Sequence, residues 1–303
     1  MRAYKSVDDV PQRTQNLFQR SLMIFGHGAG WAVMYALGIA LALGMILEIR
    51  ATGAGLVFVG LCSHAGYMFD RVKFRDADLD PADLQSDPRR HRFLRRWARP
   101  LRIVMYTEWI GAVIVGSVFS PVLGFSTFAG ILAGYLYSGW KPGGRPRLKD
   151  VPGMKAGLVS AAIVGLGLLG ILGYQTPGPE SFVWALKDAS SLSWMSVLGM
   201  WLIVFGDAVA CDLDDSQSDA LHLTKSFPVL IGNTPAGVIA VMLLVIGGGV
   251  VILGGLGDDD VQRRFLLSGL IAVSGALILR QHHRRDWIDG RMLVVVLVVL
   301  RIG

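Results

Sequence analysis

The sequence predicts an all-α fold: a polytopic transmembrane bundle of about nine helices, since apolar runs long enough to cross hydrocarbon recur along the chain. Three observations carry this reading. The chain is 52% hydrophobic and only 17% charged, well away from the soluble average. The apolar runs leave no room for a soluble domain of useful size, so residues 1–303 read as a single integral-membrane domain. The basic residues are also strongly biased to alternate connections. Counted by connection, 24 of the 29 Lys and Arg fall in the N-terminal tail and the even–odd loops, against five elsewhere. This positive-inside pattern places the N-terminus and the acidic and basic loops in the cytoplasm. A cell membrane, the inner membrane in a bacterium, is the expected location. The N-terminus lacks the features of a cleaved signal peptide.

The spans are expected at residues 24–47, 52–70, 102–119, 120–139, 155–174, 192–211, 234–256, 264–280 and 290–302. The first two are broken by Arg50 and the small residues around it, and Asp70 closes the second. Loop 70–102 is acidic and then densely basic, and loop 140–154 is basic and rich in Gly and Pro. The sixth span runs into acidic loop 207–228, and the ninth is short for a crossing. Glycine, with 38 residues, is concentrated in the spans, as in "GLVSAAIVGLGLLGILG". Small residues of this kind let membrane helices approach closely. The net charge of +6 follows from membrane orientation and gives no reason to invoke nucleic acid. No phosphate-binding glycine loop is present. Cys62 and Cys211 lie inside spans and read as small buried hydrophobes.

Eleven of the 23 acidic residues are gathered in two short segments, each at the end of an apolar run. In the second, "GDAVACDLDDSQSDALHLTKSFPVLIG", Asp212, Asp215 and Asp219 fall at i, i+3 and i+7. On a helix that spacing is one face. Three carboxylates on one stripe repel unless a cation sits among them, and hard oxygen ligands suit Mg²⁺. A hydrated acidic loop without an ion is the alternative. In the first segment, Asp76, Asp80 and Asp83 repeat a one-face spacing, with Arg71, Lys73 and Arg75 interleaved. Mixed signs suit a Mg²⁺-diphosphate, the carboxylates holding metal and the cations neutralising phosphate oxygens. Local salt bridges would account for the same pattern. Loop 4–5 adds Tyr137, Ser138, Lys141, Arg145, Arg147 and Lys149 on the same side of the membrane.

The segment "CDLDDSQSDALHLTKSFPVLIG" resembles the D-x-x-D-x-x-x-D motif, with its following Thr, Pro and Leu-x-Gly, of the UbiA superfamily of intramembrane prenyltransferases. Asp212, Asp215 and Asp219 take its three acidic positions. Tyr137, Ser138, Arg147, Leu148, Lys149 and Pro152 match the family's loop between helices 4 and 5. Nine spans with acidic segments after helices 2 and 6 match in order. The first family motif, N-D-x-x-D-x-x-x-D, is altered. With Asp70 as its middle Asp, Gly66, Tyr67 and Phe74 stand at the other positions. Asp76 and Asp80 are the substitutes one turn further on.

The resemblance implies a Mg²⁺-dependent transfer of an isoprenyl group from an isoprenyl diphosphate to an unidentified lipophilic acceptor, an aromatic ring being one candidate. The metal would be held by Asp70, Asp76, Asp80, Asp212, Asp215 and Asp219. Arg71, Lys73, Tyr137, Arg147 and Lys149 would contact the diphosphate. Asp70, Asp212 and Asp215 are the catalytic candidates, joined by Asp207 because an intramembrane carboxylate is a functional candidate by default. Glu108 is a further candidate base or the partner of a nearby Arg, and His64 a buried polar residue. A non-catalytic or divergent relative of this family and a helical transporter are the competing readings.

Overall fold

A computed structural model describes residues 21, 24–73, 88–139, 147–174, 191–221, 223–255, 261–278 and 284–302. Among these residues the fold is all-helical, with nine helices of more than three turns. They are α1 (Gly30–Ile46), α2 (Gly53–Val72), α3 (Pro88–Phe119), α4 (Pro121–Gly134), α5 (Met154–Leu172), α6 (Ser191–Leu221), α7 (Asn233–Leu253), α8 (Val261–Ile278) and α9 (Arg284–Ile302). Five of them, α3 and α5–α8, are long and apolar enough to cross a membrane. α1 and α4 are apolar but shorter. All nine expected spans coincide with a helix.

Local chemistry sets many of the boundaries. Thr52 caps α2, its hydroxyl accepting the Gly55 N–H at 3.1 Å. Ser120 separates α3 from α4 and caps the latter, with Pro121 at the first helical position, where its missing N–H costs nothing. After Gly134 the helix widens into a π turn over Tyr135–Gly139. Such turns concentrate where a side chain has to be re-aimed. A one-turn helix, Phe227–Ile231, opens on Ser226 and ends at Gly232, whose φ of 88° reverses the chain into α7.

Two helices outrun their spans. Residues 88–102, expected in a loop, form the first turns of α3, which at 32 residues measures about 48 Å against a hydrocarbon core of about 30 Å. Pro100 stands inside it, where the ring removes one hydrogen bond and favours a kink. Residues 207–221, also read as a loop, continue α6 to Leu221. The stretch "DLDDSQSDAL" contains neither Gly nor Pro, and its carboxylates find a partner on α5 that keeps it helical.

The principal core joins α1 with α5–α9. Ile39, Leu43, Met200, Leu244, Ile271 and Val296 are among its fully buried members. α1 is the axial helix, packing on α2, α5, α6 and α9. The most extensive contact is between α6 and α7. α2, α3 and α4 share smaller clusters, one around Phe69, Met105 and Trp109 and another around Phe58, Leu123 and Tyr174. The outward faces carry exposed apolar residues such as Ile110, Ile114, Phe125, Val238 and Phe265, as a surface against lipid requires.

Glycine sets the closest crossings. A Cβ on Gly199 of α6 would stand 2.7 Å from the Gly247 carbonyl oxygen of α7, and a Cβ on Gly247 2.7 Å from that of Gly199. These backbones touch, so neither position has room for a methyl group. Gly249, one turn face away, meets nothing within 4 Å. Gly247→Ala is expected to lower the thermal midpoint in detergent, with an overpacking cost of about 1–3 kcal/mol. Gly249→Ala should be neutral or slightly stabilising; equal losses at both positions would dismiss the crossing as the cause.

Candidate functional site

The second acidic segment lies on the last three turns of α6. Asp212 is 4% exposed and Asp219 7%, whereas Asp214 points to the exposed side. The three stripe carboxylates all face one side chain, Lys155 in the first turn of α5. Its ammonium lies 2.9 Å from Asp212 Oδ1, 2.9 Å from Asp219 Oδ2 and 3.8 Å from Asp215 Oδ2. Two of these distances are hydrogen bonds, and the third is an ion pair without one. The second oxygen of Asp212, Oδ2, is buried without a hydrogen-bond partner. Among the described residues no three acids, histidines or cysteines gather as a metal-ligand group. The Lys155 ammonium stands among the carboxylates instead.

The first acidic segment contributes Asp70, at the C-terminal end of α2. Its Oδ1 accepts from Lys73 Nζ at 2.9 Å and lies 3.4 Å from Lys149 Nζ. Lys73 ends the helix with φ at 50°, its N–H donating to the Phe69 carbonyl, and its side chain is 2% exposed. Arg71 lies over the Tyr67 ring, 5.1 Å from the centroid. Arg102 of α3 donates from Nε and Nη2 to the Val72 carbonyl and from Nε to that of Lys73, satisfying acceptors that the helix end leaves open. Asp76 and Asp80 lie outside the described residues, as do Lys141, Arg145 and the Ser138 side chain.

Loop 4–5 brings the two segments together. Tyr137, on the π turn, is within electrostatic reach of Asp70 and Arg71 on one side and of Asp212 and Lys155 on the other. Lys149 follows on a single 3₁₀ turn, Leu148–Asp150. Arg147 forks onto Asp150, with Nε 3.1 Å from Oδ2 and Nη2 3.0 Å from Oδ1. Thr224 Oγ1 donates to the same Asp150 Oδ1 at 3.1 Å. Burial acts to raise the Asp150 carboxyl, but these bonds, with one from the Arg147 N–H, hold it below the ordinary aspartate value. The Asp150 pin therefore stays charged as pH falls through the usual aspartate range and is lost only below it.

Of the expected site residues on described segments, Asp70, Arg71, Lys73, Tyr137, Lys149, Asp212, Asp215 and Asp219 thus share one end of the bundle. Arg147 belongs to it as the clamp that shapes the loop. Lys155, Asp150 and Arg102 were not singled out from the sequence.

Asp207 lies deeper, five residues before Asp212, and belongs to another cluster. It pairs with Arg291 Nη2 of α9 and accepts from Tyr35 Oη of α1 at 2.8 Å. Arg291 also donates to the Ile271 carbonyl and to Ser274 on α8. Asp207 is 2% exposed and Arg291 8%. The cluster links four helices where no water reaches. Glu108 is 2.7 Å from His64 Nδ1, the partner being histidine rather than arginine, and His64 Nε2 lies 3.0 Å from the Gly28 carbonyl oxygen. Cys62 and Cys211 are partly buried and not joined in a disulfide.

No family model matches the sequence, and no curated protein matches it. A solved structure does. The apo structure of a UbiA homolog from Aeropyrum pernix K1 superposes with a TM-score of 0.59, covering 89% of this chain and 97% of that one at 16% identity. The fold is UbiA-like. This match bears out the expected fold class and the resemblance at the level of architecture, and with five candidate spans it makes the chain a helical membrane protein. The two acidic segments approach each other at Tyr137, which is within electrostatic reach of Asp70 and of Asp212.

Removing one partner of a buried ion pair leaves an uncompensated charge, at a cost of about 3–5 kcal/mol. Arg291→Met should therefore lower the thermal midpoint sharply. The double variant with Asp207→Asn should regain much of the loss. A double variant no more stable than Arg291→Met would mean that the pair is not the source of the stability.

Proposed function

We propose that this UbiA-like protein is a prenyltransferase. It takes an isoprenyl diphosphate as donor, transfers the isoprenyl group to a lipophilic acceptor within the membrane, and works with Mg²⁺ at the cytoplasmic face. The observation that carries the reading is the convergence on Tyr137 of one carboxylate from each acidic segment, each already associated with lysine. A diphosphate with its metal presents both signs of charge and needs both signs in return.

The donors present are of the kind a divalent hard cation takes, although Lys155 now stands among them. Asp212, Asp215 and Asp219 offer oxygen donors on one helical stripe, and the unpartnered Asp212 Oδ2 is a buried acceptor in want of a cation. Asp70 would complete the set from the opposite side. When bound, Mg²⁺ would supply Lewis-acid stabilisation of charge on the departing diphosphate. The chain's own work is to bind, orient and exclude water. Lys149 and Lys73 lie on the Asp70 side, where their ammonium groups can pair with non-bridging phosphate oxygens. Tyr137 Oη would donate to the same group. Arg147, Asp150 and Thr224 hold the loop that presents Lys149, and so act by positioning. The apolar interior excludes water from an allylic cation, which water would otherwise capture.

Asp207 is assigned to architecture under this proposal, because Arg291 and Tyr35 occupy its carboxylate. Asp215→Ala should abolish Mg²⁺-dependent release of pyrophosphate from labelled isoprenyl diphosphates of several chain lengths, a loss of at least about a hundredfold for a charge-stabilising group. Full turnover in that variant would remove Asp215 from the site. No binding of any donor by the wild-type protein would dismiss the prenyltransferase reading itself.

A further inference from the structure

Lys155 goes beyond the donor site as set out above, although its role rests on that reading. It contacts all three stripe carboxylates, and it does so from a different helix. Its side chain is 17% exposed and those of Asp212 and Asp219 are 5% and 9%, so water contributes little to this pairing. We propose that Lys155 is a built-in counter-cation of the Asp212–Asp215–Asp219 stripe: it holds the stripe together before metal arrives and competes with a divalent ion for the same oxygens.

The geometry distinguishes competition from mere proximity. Asp212 Oδ1 and Asp219 Oδ2 each stand 2.9 Å from the ammonium, a distance at which their lone pairs are committed to it. A divalent cation using those atoms stands close to the ammonium, and in a low-dielectric site the repulsion of two positive centres sets ion and lysine in competition for them. Asp212 Oδ2 is buried and without a hydrogen-bond partner at the outset. The stripe and Lys155 together carry two negative charges, enough to attract one divalent ion. The first oxygen thus recruits the ion, and the others follow as the ammonium leaves. The liberated ammonium then has a natural acceptor in the diphosphate, which enters beside Tyr137, itself within electrostatic reach of Lys155. Metal occupancy and donor binding are coupled through one lysine, and the coupling must act in both directions.

Mn²⁺ binding to the full-length protein in detergent tests this, read from the free-ion electron paramagnetic resonance signal and needing no turnover. Lys155→Met should tighten Mn²⁺ binding by at least about tenfold, on the order expected when a close competing charge is removed from a desolvated site. Lys155→Arg, which keeps the charge, should not tighten it. In chelator the thermal midpoint of Lys155→Met should fall below that of wild type, and Mn²⁺ should restore it. Equal or weaker Mn²⁺ binding by folded Lys155→Met overturns the proposal. Wild-type protein gives a second measurement that does not depend on the variant folding. Amine-directed labelling of Lys155, followed by mass spectrometry, should be slow in chelator and rise with Mn²⁺ occupancy. Labelling that stays constant while Mn²⁺ binds also overturns it. Failure of prenyl transfer with every donor would dismiss the function proposed above and leave these two readouts to decide the role of Lys155.

Discussion

An ionised group inside a helical bundle surrounded by hydrocarbon has no water to fall back on, so another part of the protein must meet it. The polar organisation of this chain follows from that requirement. Asp207 is met by Arg291 and Tyr35, His64 by Glu108, and the α6 carboxylates by Lys155. In each case the partners come from different helices. Every such pair is therefore a cross-link as well as a neutralisation, and a helix cannot shift without exposing a charge. The apolar contacts supply most of the burial, but they would tolerate sliding. The ion pairs specify which helices are neighbours and at what height.

The fold was legible in the sequence because its determinants are local. Long apolar runs must become helices in lipid, where every backbone group has to be satisfied within the segment. Their ends, however, were misplaced at 88–102 and 207–221. Charged sequences look like loops to a hydropathy argument, although α3 and α6 simply continue as helices beyond the hydrocarbon. Charge was a poor guide to boundaries here, since the helices protrude.

The site was legible in part. The one-face spacing of Asp212, Asp215 and Asp219 was visible, because it depends on the geometry of a single helix. That Tyr137 joins the two acidic segments followed from their shared side of the membrane. Asp207 could not be resolved, because its partners Arg291 and Tyr35 are 84 and 172 residues away in the chain. Lys155 was overlooked for a related reason. Among five basic residues in one loop, nothing in the sequence tells which one a neighbouring helix will engage. Long-range pairing is a property of packing, and periodicity carries no record of it.

The length of α6 has one more consequence. Asp207 and Asp212 sit on one continuous helix, five residues and so about 140° of helical rotation apart. Arg291 holds the helix at the first position and Lys155 at the second, from different sides. The helix is gripped like a shaft by two keys cut at different angles, and no turn about its own axis keeps both engaged. The smaller apolar clusters of the α2–α4 flank lie outside the principal core that this helix belongs to. The carboxylate stripe is thereby mounted on a helix that is locked against rotation.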